Sequence, residues 1–380
     1  MKIRIYDHSY HEVISGGDVI AAEFAKQWLL QGHDVRLSTH PEAAEFFRTR
    51  RVPEDSLHVA RKLRTGYRNV LIGSIAHSIN AVFDALTTPH QDADIIFSGS
   101  WGLQDLLPAL IDKHKTPHAC LVVGCYLLLA PPWSKTYGSN WINRLAFWSV
   151  YCIGITLTRL YAAVIWTASP VDAAFIQTYW HKQAAAIRGG ADIRAARAAK
   201  TRTKKKRYDA VYIGRFHPQK NIDELIDIWK LVVSQRPDAS LVIAGGGFLK
   251  HALETKIRSE NLTHNVTLLP PTDGKEKFDL LAASKLFISA SHHDTGNLAL
   301  DEALACSTPG IVYNLPKLDY PRGVLHVTPF STAQFAGMIT TVLNDRNIRK
   351  NLSHEAHDFS GYLNWETQSK RALDSVPASP

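Results

Sequence analysis

Short apolar runs alternate along this chain with longer helical stretches, and the alternation starts over once past its midpoint. Ile3 to Tyr6 reads as a strand, Gly16-Gly17 as a turn and Val19 to Gln31 as an amphipathic helix ended by Gly32, followed by a strand at Asp34 to Ser38. Further strands are expected at Asp94 to Ser98, Cys120 to Val123 and Ala162 to Thr167, with helical stretches between them. Parallel strands need crossover helices, so this order predicts a doubly wound sheet. After a basic, Ala-rich stretch from Arg194 to Arg207, the pattern restarts at Ala210 to Gly214. Helices are expected at Ile222 to Val233, Leu249 to Ser259, Glu276 to Ser284 and Leu298 to Ala305. Strands at Ser240 to Ala244, Val266 to Leu269, Leu286 to Ala290 and Gly310 to Tyr313 alternate with them, and Gly245-Gly-Gly247 makes a turn. The expected fold class is α/β, with two Rossmann-like doubly wound domains facing a central cleft. A chain of 380 residues has the length for two cores. The expected domains are 1–203, 204–362 and a C-terminal segment 363–380 that returns to the first.

Composition narrows the function classes. Hydrophobic residues at 45% exclude a disordered or fibrous chain. Cys120, Cys125, Cys152 and Cys306 form no C-x-x-C pair, which points to a reducing compartment. No apolar stretch follows the basic start, so a secretory signal is not expected. Leu145 to Trp166 has about the length of a membrane span but carries Arg159, and reads as a buried or interfacial helix. The net charge of +8 is unevenly placed: Lys135 to Arg207 holds 13 lysines and arginines against Asp172 and Asp192 alone. Trp133, Trp141, Trp148, Trp166 and Trp180 lie in or beside that segment, and indole with cationic side chains suits an anionic membrane surface. The expected location is cytoplasmic, peripheral at the inner face of the membrane. Nucleic acid is not an expected partner, because no motif places the charge in a groove.

Two motifs carry chemistry. Gly214-Arg215-Phe-His-Pro-Gln-Lys220-Asn221 follows a strand and opens a helix, which sets two cations beside amides with positive dipole, an arrangement for a diphosphate. In Asp294-Thr-Gly296-Asn297-Leu298-Ala-Leu-Asp-Glu302, a loop carboxylate precedes a helix whose body carries a second one. Both can address one ligand, with first-turn amides free for phosphate oxygens. Taken singly, each motif also reads as surface charge or as a capped amphipathic helix. His292 and His293 are adjacent and lack the convergent geometry of a metal site, so no metal is expected.

Together with Gly16-Gly17 and the Gly189-Gly190-Ala191-Asp192 segment, these motifs resemble the retaining GT-B glycosyltransferases of family 4, also called group 1. The resemblance covers nearly the whole order of elements and is most specific from Ala210 to Val312. It implies that Arg215 and Lys220 hold a donor diphosphate, that Glu302 accepts from ribose hydroxyls, and that Gly17 admits phosphate to the backbone. Arg215, Lys220 and Asp294 are the expected catalytic residues. Gly16, Gly17, Gly214, Leu269, Pro270, Gly296, Asn297, Leu298 and Glu302 are the expected donor-binding residues. Three departures stand out: Asp294 replaces a glutamate, Gly124 stands where the family often has a histidine, and Gly189 replaces an asparagine. The implied activity moves a hexose from a nucleotide-diphosphate sugar to a lipid-linked or glycan acceptor, with retention, without a metal and without a cofactor. A catalytically silent sugar-nucleotide-binding subunit and a nucleotide-sugar epimerase are the alternatives.

Overall fold

Each central apolar run pairs in parallel with its neighbours, and two separate sheets result. The structure, a computed structural model, describes residues 1–8, 15–60, 70–89, 91–129, 133, 141–203 and 205–377. Contacts divide it into two units, one reaching to Arg188 and including the residues from Trp365 onward, the other Gly189–Asn364.

The first unit contains strands β1 (Lys2–Tyr6), β2 (Asp34–Thr39), β3 (Leu57–Val59), β4 (Ile95–Ser98), β5 (Cys120–Gly124), β6 (Val164–Thr167) and β7 (Gln183–Ala186), in the sheet order β3-β2-β1-β4-β5-β6-β7. Its helices are α1 (Gly16–Leu30), α2 (Pro41–Thr49), α3 (Val70–Thr87), α4 (Leu103–Lys115), α5 (Trp141–Tyr161) and α6 (Pro170–Phe175). Helix α1 begins earlier than its apolar periodicity suggests, because Ser15 caps it: Ser15 Oγ accepts from Asp18 N, and Asp18 Oδ2 accepts from Ser15 N. The Leu145 to Trp166 stretch divides into the end of α5 and the strand β6. Among the described residues no helix is long and apolar enough to cross a membrane.

An aromatic cluster fills the core of this unit, with Phe97 and Trp166 centroids 4.8 Å apart and Phe24 and Trp28 5.2 Å apart. The C-terminal helix Trp365–Asp374 closes over it. Trp365 meets Phe24 edge-on at 6.2 Å, Trp28 Nε1 donates to Ser369 O at 3.0 Å, and Trp166 Nε1 donates to Ser375 Oγ at 2.9 Å. Trp166 is therefore a core residue, contrary to its expected place at a membrane surface. Trp133 and Trp141 are exposed, whereas Trp148 and Trp180 are half-buried.

The second unit contains β8 (Tyr208–Ile213), β9 (Leu241–Ala244), β10 (Val266–Leu269), β11 (Ser284–Ser289), β12 (Gly310–Tyr313) and β13 (Val324–Val327), in the order β10-β9-β8-β11-β12-β13. Its helices are α7 (Ile193–Arg202), α8 (Ile222–Gln235), α9 (Lys250–Ser259), α10 (Gly274–Ala282), α11 (Leu298–Ala305), α12 (Thr332–Asn344) and α13 (Arg346–Ser360). Helix α7 occupies much of the basic, Ala-rich stretch at which the domain boundary is expected. Asp192 Oδ1 caps it at Ala195 N, and it packs on α10 and α11 through the buried Ala196 and Ala199. The contact boundary thus falls after Arg188 and not after 203. The basic run is also spent internally: Lys200 Nζ donates to Ser307 Oγ, Arg202 pairs with Asp279, and Lys206 Nζ donates to Ser284 O at 2.7 Å.

Trp28 is fully buried and ties α1 to the C-terminal helix. Trp28→Ala should cost about 3–5 kcal/mol, the usual loss for a deleted core aromatic. Urea unfolding followed by near-UV circular dichroism checks this, and the first unit's transition should move to lower denaturant.

Candidate functional site

In an open parallel sheet, ligands gather where the strand order reverses, because neighbouring loops there turn to opposite sides and leave a crevice. In the second unit the reversal lies between β8 and β11, which pair in parallel with Tyr208 opposite Ser284. Both sequence motifs follow these two strands. After β8 the chain passes Gly214 and Arg215, makes a turn at Pro218–Lys220, and enters α8 through Asn221 in the left-handed region, φ 50°. After β11 it runs through His292 to Gly296 and enters α11 at Asn297, whose Oδ1 accepts from Leu300 N at 3.1 Å. Four bonds join the loops: Lys220 Nζ to Asp294 Oδ2 at 2.8 Å, Gln219 Nε2 to His293 O at 3.0 Å, and Asn221 Nδ2 to Ala290 O at 3.3 Å and to His292 Nε2 at 2.7 Å.

The two cations differ in their surroundings. Lys220 meets the buried carboxylate of Asp294, which is also 3.5 Å from Asn297 Nδ2. Arg215 is half-buried and forms no ion pair among the described residues. Burial, together with the charges of Arg215 and Lys220, holds the His217 imidazole below its usual value, so it is neutral between them. Its Nδ1 accepts from Gln219 N at 3.3 Å, which leaves the ring proton on Nε2. Beneath the turn lies Tyr212, fully buried on β8, whose hydroxyl has no hydrogen-bond partner among the described residues. A Cβ on Gly214 would come 2.5 Å from that hydroxyl, which explains the glycine there.

The Gly245 to Gly247 turn presses on the same loop. A Cβ on Gly245 would lie 1.9 Å from Gly214 O, and Gly247 has φ +144° with Phe216 O against it. Gly245 N donates to Leu269 O at 3.1 Å, so Leu269 and the exposed Pro270 stand at the carboxyl end of β10, one strand beyond the turn.

Glu302 is buried on α11, and its Oε1 is 2.6 Å from Lys277 Nζ. Lys277 is itself buried on α10 and reaches Asp273 at 2.9 Å. Burial pushes this ammonium down, but Glu302 and Asp273 outweigh it, and its pKa stands above the ordinary value. The start of α11 is held by Tyr320, whose hydroxyl donates to Asp301 Oδ1 at 2.8 Å. Gly296 and Leu298 flank the capping Asn297 and are half-buried. Lys277 and Tyr212 are the residues that sequence reasoning missed.

Gly16 and Gly17 lie in the first unit, at its own reversal between β1 and β4. A Cβ on Gly17 would make only ordinary contact with Tyr126, at 3.6 Å. At Gly124 a Cβ would lie 2.6 Å from Gly99 O and 2.8 Å from the Tyr126 ring, so no side chain fits. Near this reversal the buried Asp105 accepts from Ser100 Oγ at 2.5 Å and from His8 N at 2.7 Å, while burial raises its carboxyl well above the usual range. His118 sits before β5 in an exposed pair with Asp92 at 3.0 Å, away from the carboxyl ends of the strands.

Residues 194–359 match the family described as glycosyl transferases group 1. This part of the chain is similar to the group 1 glycosyltransferases. The D-inositol 3-phosphate glycosyltransferase of Jonesia denitrificans is 26% identical over 167 residues, 41% of this chain and 39% of that protein. A GDP-mannose-dependent alpha-(1-6)-phosphatidylinositol dimannoside mannosyltransferase of Mycobacterium tuberculosis is 33% identical over 102 residues, 27% of this chain and 26% of that protein. The matches thus span less than half the length of these curated relatives. Anabaena HepE, solved with UDP and glucose, superposes with a TM-score of 0.74 at 16% identity, over 99% of each chain. The fold is GT-B, and the matched segment carries Arg215, Lys220, Asp294 and Glu302.

Removing Lys277 would leave Glu302 buried without this cation. Lys277→Met should therefore destabilise the domain by about 3–5 kcal/mol, whereas the double variant Lys277→Met with Glu302→Leu should recover much of that loss. Equilibrium denaturation of both variants checks the pair.

Proposed function

We propose that this chain transfers a hexose from a nucleotide-diphosphate sugar to a lipid-linked or glycan acceptor, with retention at the anomeric carbon. The observation that carries the reading is the half-buried Arg215, which forms no ion pair among the described residues, in the same loop as Lys220 at the strand-order reversal. The bond from the anomeric carbon to the diphosphate oxygen breaks, and the acceptor hydroxyl bonds to the same face of that carbon. Its proton passes to the departing phosphate. Charge then grows on the leaving diphosphate, where Arg215, Lys220 and the first amides of α11 stabilise it, so no metal is needed for that step. Glu302, kept ionised by Lys277, would accept from the ribose hydroxyls, with Leu269 and Pro270 along the base. The names of the relatives support a sugar-nucleotide donor: one is GDP-mannose-dependent, and HepE was solved with UDP.

Arg215→Ala should lower turnover by about 2–4 kcal/mol of transition-state stabilisation without unfolding the protein. A panel of UDP-, GDP- and dTDP-sugars first identifies the donor by thermal stabilisation, and turnover with that donor is then compared in both proteins. Retention is read from the anomeric proton of the product by NMR. Full turnover by the variant would overturn the diphosphate assignment.

The acceptor's lipid would bring the enzyme to a membrane, at the cytoplasmic face. Support comes from an apolar groove in the first unit, where Ile75, Ile79, Phe83 and Leu86 of α3 face Leu107 of α4 and Val150 of α5. Ile79, Phe83, Ile153 and Leu160 are about half exposed or more, and Arg159 lies 5.5 Å over the Trp180 ring nearby. The double variant Ile79→Ser with Phe83→Ser should lose binding to anionic liposomes in co-sedimentation, each buried side chain being worth about 1.5–3 kcal/mol. Added salt should weaken the wild type as well.

A further inference from the structure

The carboxyl ends of β1, β2 and β3 carry three histidines, and a fourth reaches them from α3. His8 follows β1 and meets Ser38 Oγ at 3.3 Å, while His58 on β3 meets Asp84 Oδ2 at 2.8 Å. The other two, His40 after β2 and His77 on α3, are arranged differently. Their ring centroids are 4.0 Å apart, and a single oxygen, Glu42 Oε2, lies 3.4 Å from His40 Nδ1 and 3.7 Å from His77 Nε2. Neither distance is in the usual N–H···O range of about 2.7–3.2 Å. The first fits an edge of a coordination tetrahedron and the second lies just beyond it, since bonds of about 2.0–2.2 Å set ligand atoms about 3.3–3.6 Å apart. One ligand atom from each residue lies within 4.8 Å of the other two.

We infer that His40, Glu42 and His77 bind a divalent cation of the zinc class. Two imidazoles and one carboxylate suit zinc better than calcium or magnesium, which take oxygen ligands almost alone. Burial supports a built site with an access path: the side chains of His40 and His77 are 0% and 8% exposed, and that of Glu42 is 38% exposed at the rim. His40 is also the residue that precedes α2, yet its side chain makes no capping bond to the helix amides. The ring is turned to Glu42 and His77 instead. Three protein ligands leave a fourth position for water. Bound there, the ion would pin α3 to the start of α2 and the end of β2. The sequence gives no hint of this, because a strand end and two successive helices supply the ligands.

The test uses the full chain, stripped with a chelator and titrated with zinc by calorimetry and with cobalt by absorption. One ion per chain is expected, with the intense visible bands of tetrahedral cobalt, and zinc should raise the melting temperature. Glu42→Gln and His77→Gln should each weaken binding by more than the about 10–100-fold that loss of a mere second-shell contact costs. His118→Gln, on the surface elsewhere, should leave it unchanged. Circular dichroism establishes that the variants fold, and Glu42→Gln, at the rim, decides the matter alone if His77→Gln does not. Absence of stoichiometric binding, or unchanged affinity in Glu42→Gln, would overturn the proposal. Thermal stabilisation by nucleotide sugars should persist in Glu42→Gln, so failure here leaves the transferase reading standing.

Discussion

Everything in the candidate site depends on the pairing of β8 with β11. The chain leaves β8 toward β9 on one side and arrives at β11 on the other, and only because these two strands then pair does the order reverse between them. That reversal sets the Arg215 to Asn221 loop beside the His292 to Asn297 loop. Lys220 and Asp294 can then meet at 2.8 Å, and Gln219 can bond across to His293 O. The glycines serve the same approach, since the 214 and 245 turns are close enough that a single Cβ on Gly245 would collide with Gly214 O. A side chain there would separate the strands' loops before any ligand arrived.

Central strands were legible in the sequence because a parallel strand buried on both faces is largely apolar, as β4, β6, β9 and β12 are. Of the edge strands only β10 was. β3, β7 and β13 are short, and the Gln-Ala-Ala-Ala of β7 has little that favours a strand. Helix α7 escaped notice because its buried face is alanine, a small residue that marks a core face weakly. Charge density misled most: Lys135 to Arg207 reads as one basic patch, yet the boundary after Arg188 divides it, and Lys206 turns inward to Ser284. In the site, Arg215, Lys220, Asp294 and Glu302 were legible as offsets from strand ends. Lys277 was not, since a lysine in an amphipathic helix looks like part of the solvent face. Tyr212 likewise looked like any core aromatic.

Lys277 and Glu302 show why such a pair is kept despite its cost. Removing two charges from water costs several kcal/mol each, and their attraction offsets this only with good geometry. Two apolar residues would hold α10 against α11 with less penalty. What they would not supply is a carboxylate that remains ionised while buried, because burial alone drives an acid toward its neutral form. An ionised carboxylate accepts two hydrogen bonds from neighbouring hydroxyls more strongly than an amide or a neutral acid does. The lysine is therefore tied to the proposed use of Glu302 and not to stability.

The two cations of the first motif are not equivalent on the proposed reading. Lys220 is already matched by Asp294, so the pair presents little net charge to an approaching anion, and its contribution comes late, through an ammonium fixed in place beforehand. Among the described residues Arg215 has no carboxylate in an ion pair with it, and its planar guanidinium suits two phosphate oxygens at once. His217 adds nothing to the attraction, because burial and, after it, the same two cations keep it neutral. The capture of a diphosphate thus falls to Arg215, and its orientation to Lys220. Asp294 serves the second task by holding Lys220 still, and it sets a limit on the first, since a carboxylate so near the phosphates repels any that come too deep. The shorter reach of an aspartate than a glutamate keeps that negative charge at the lysine instead of in the path of the ligand.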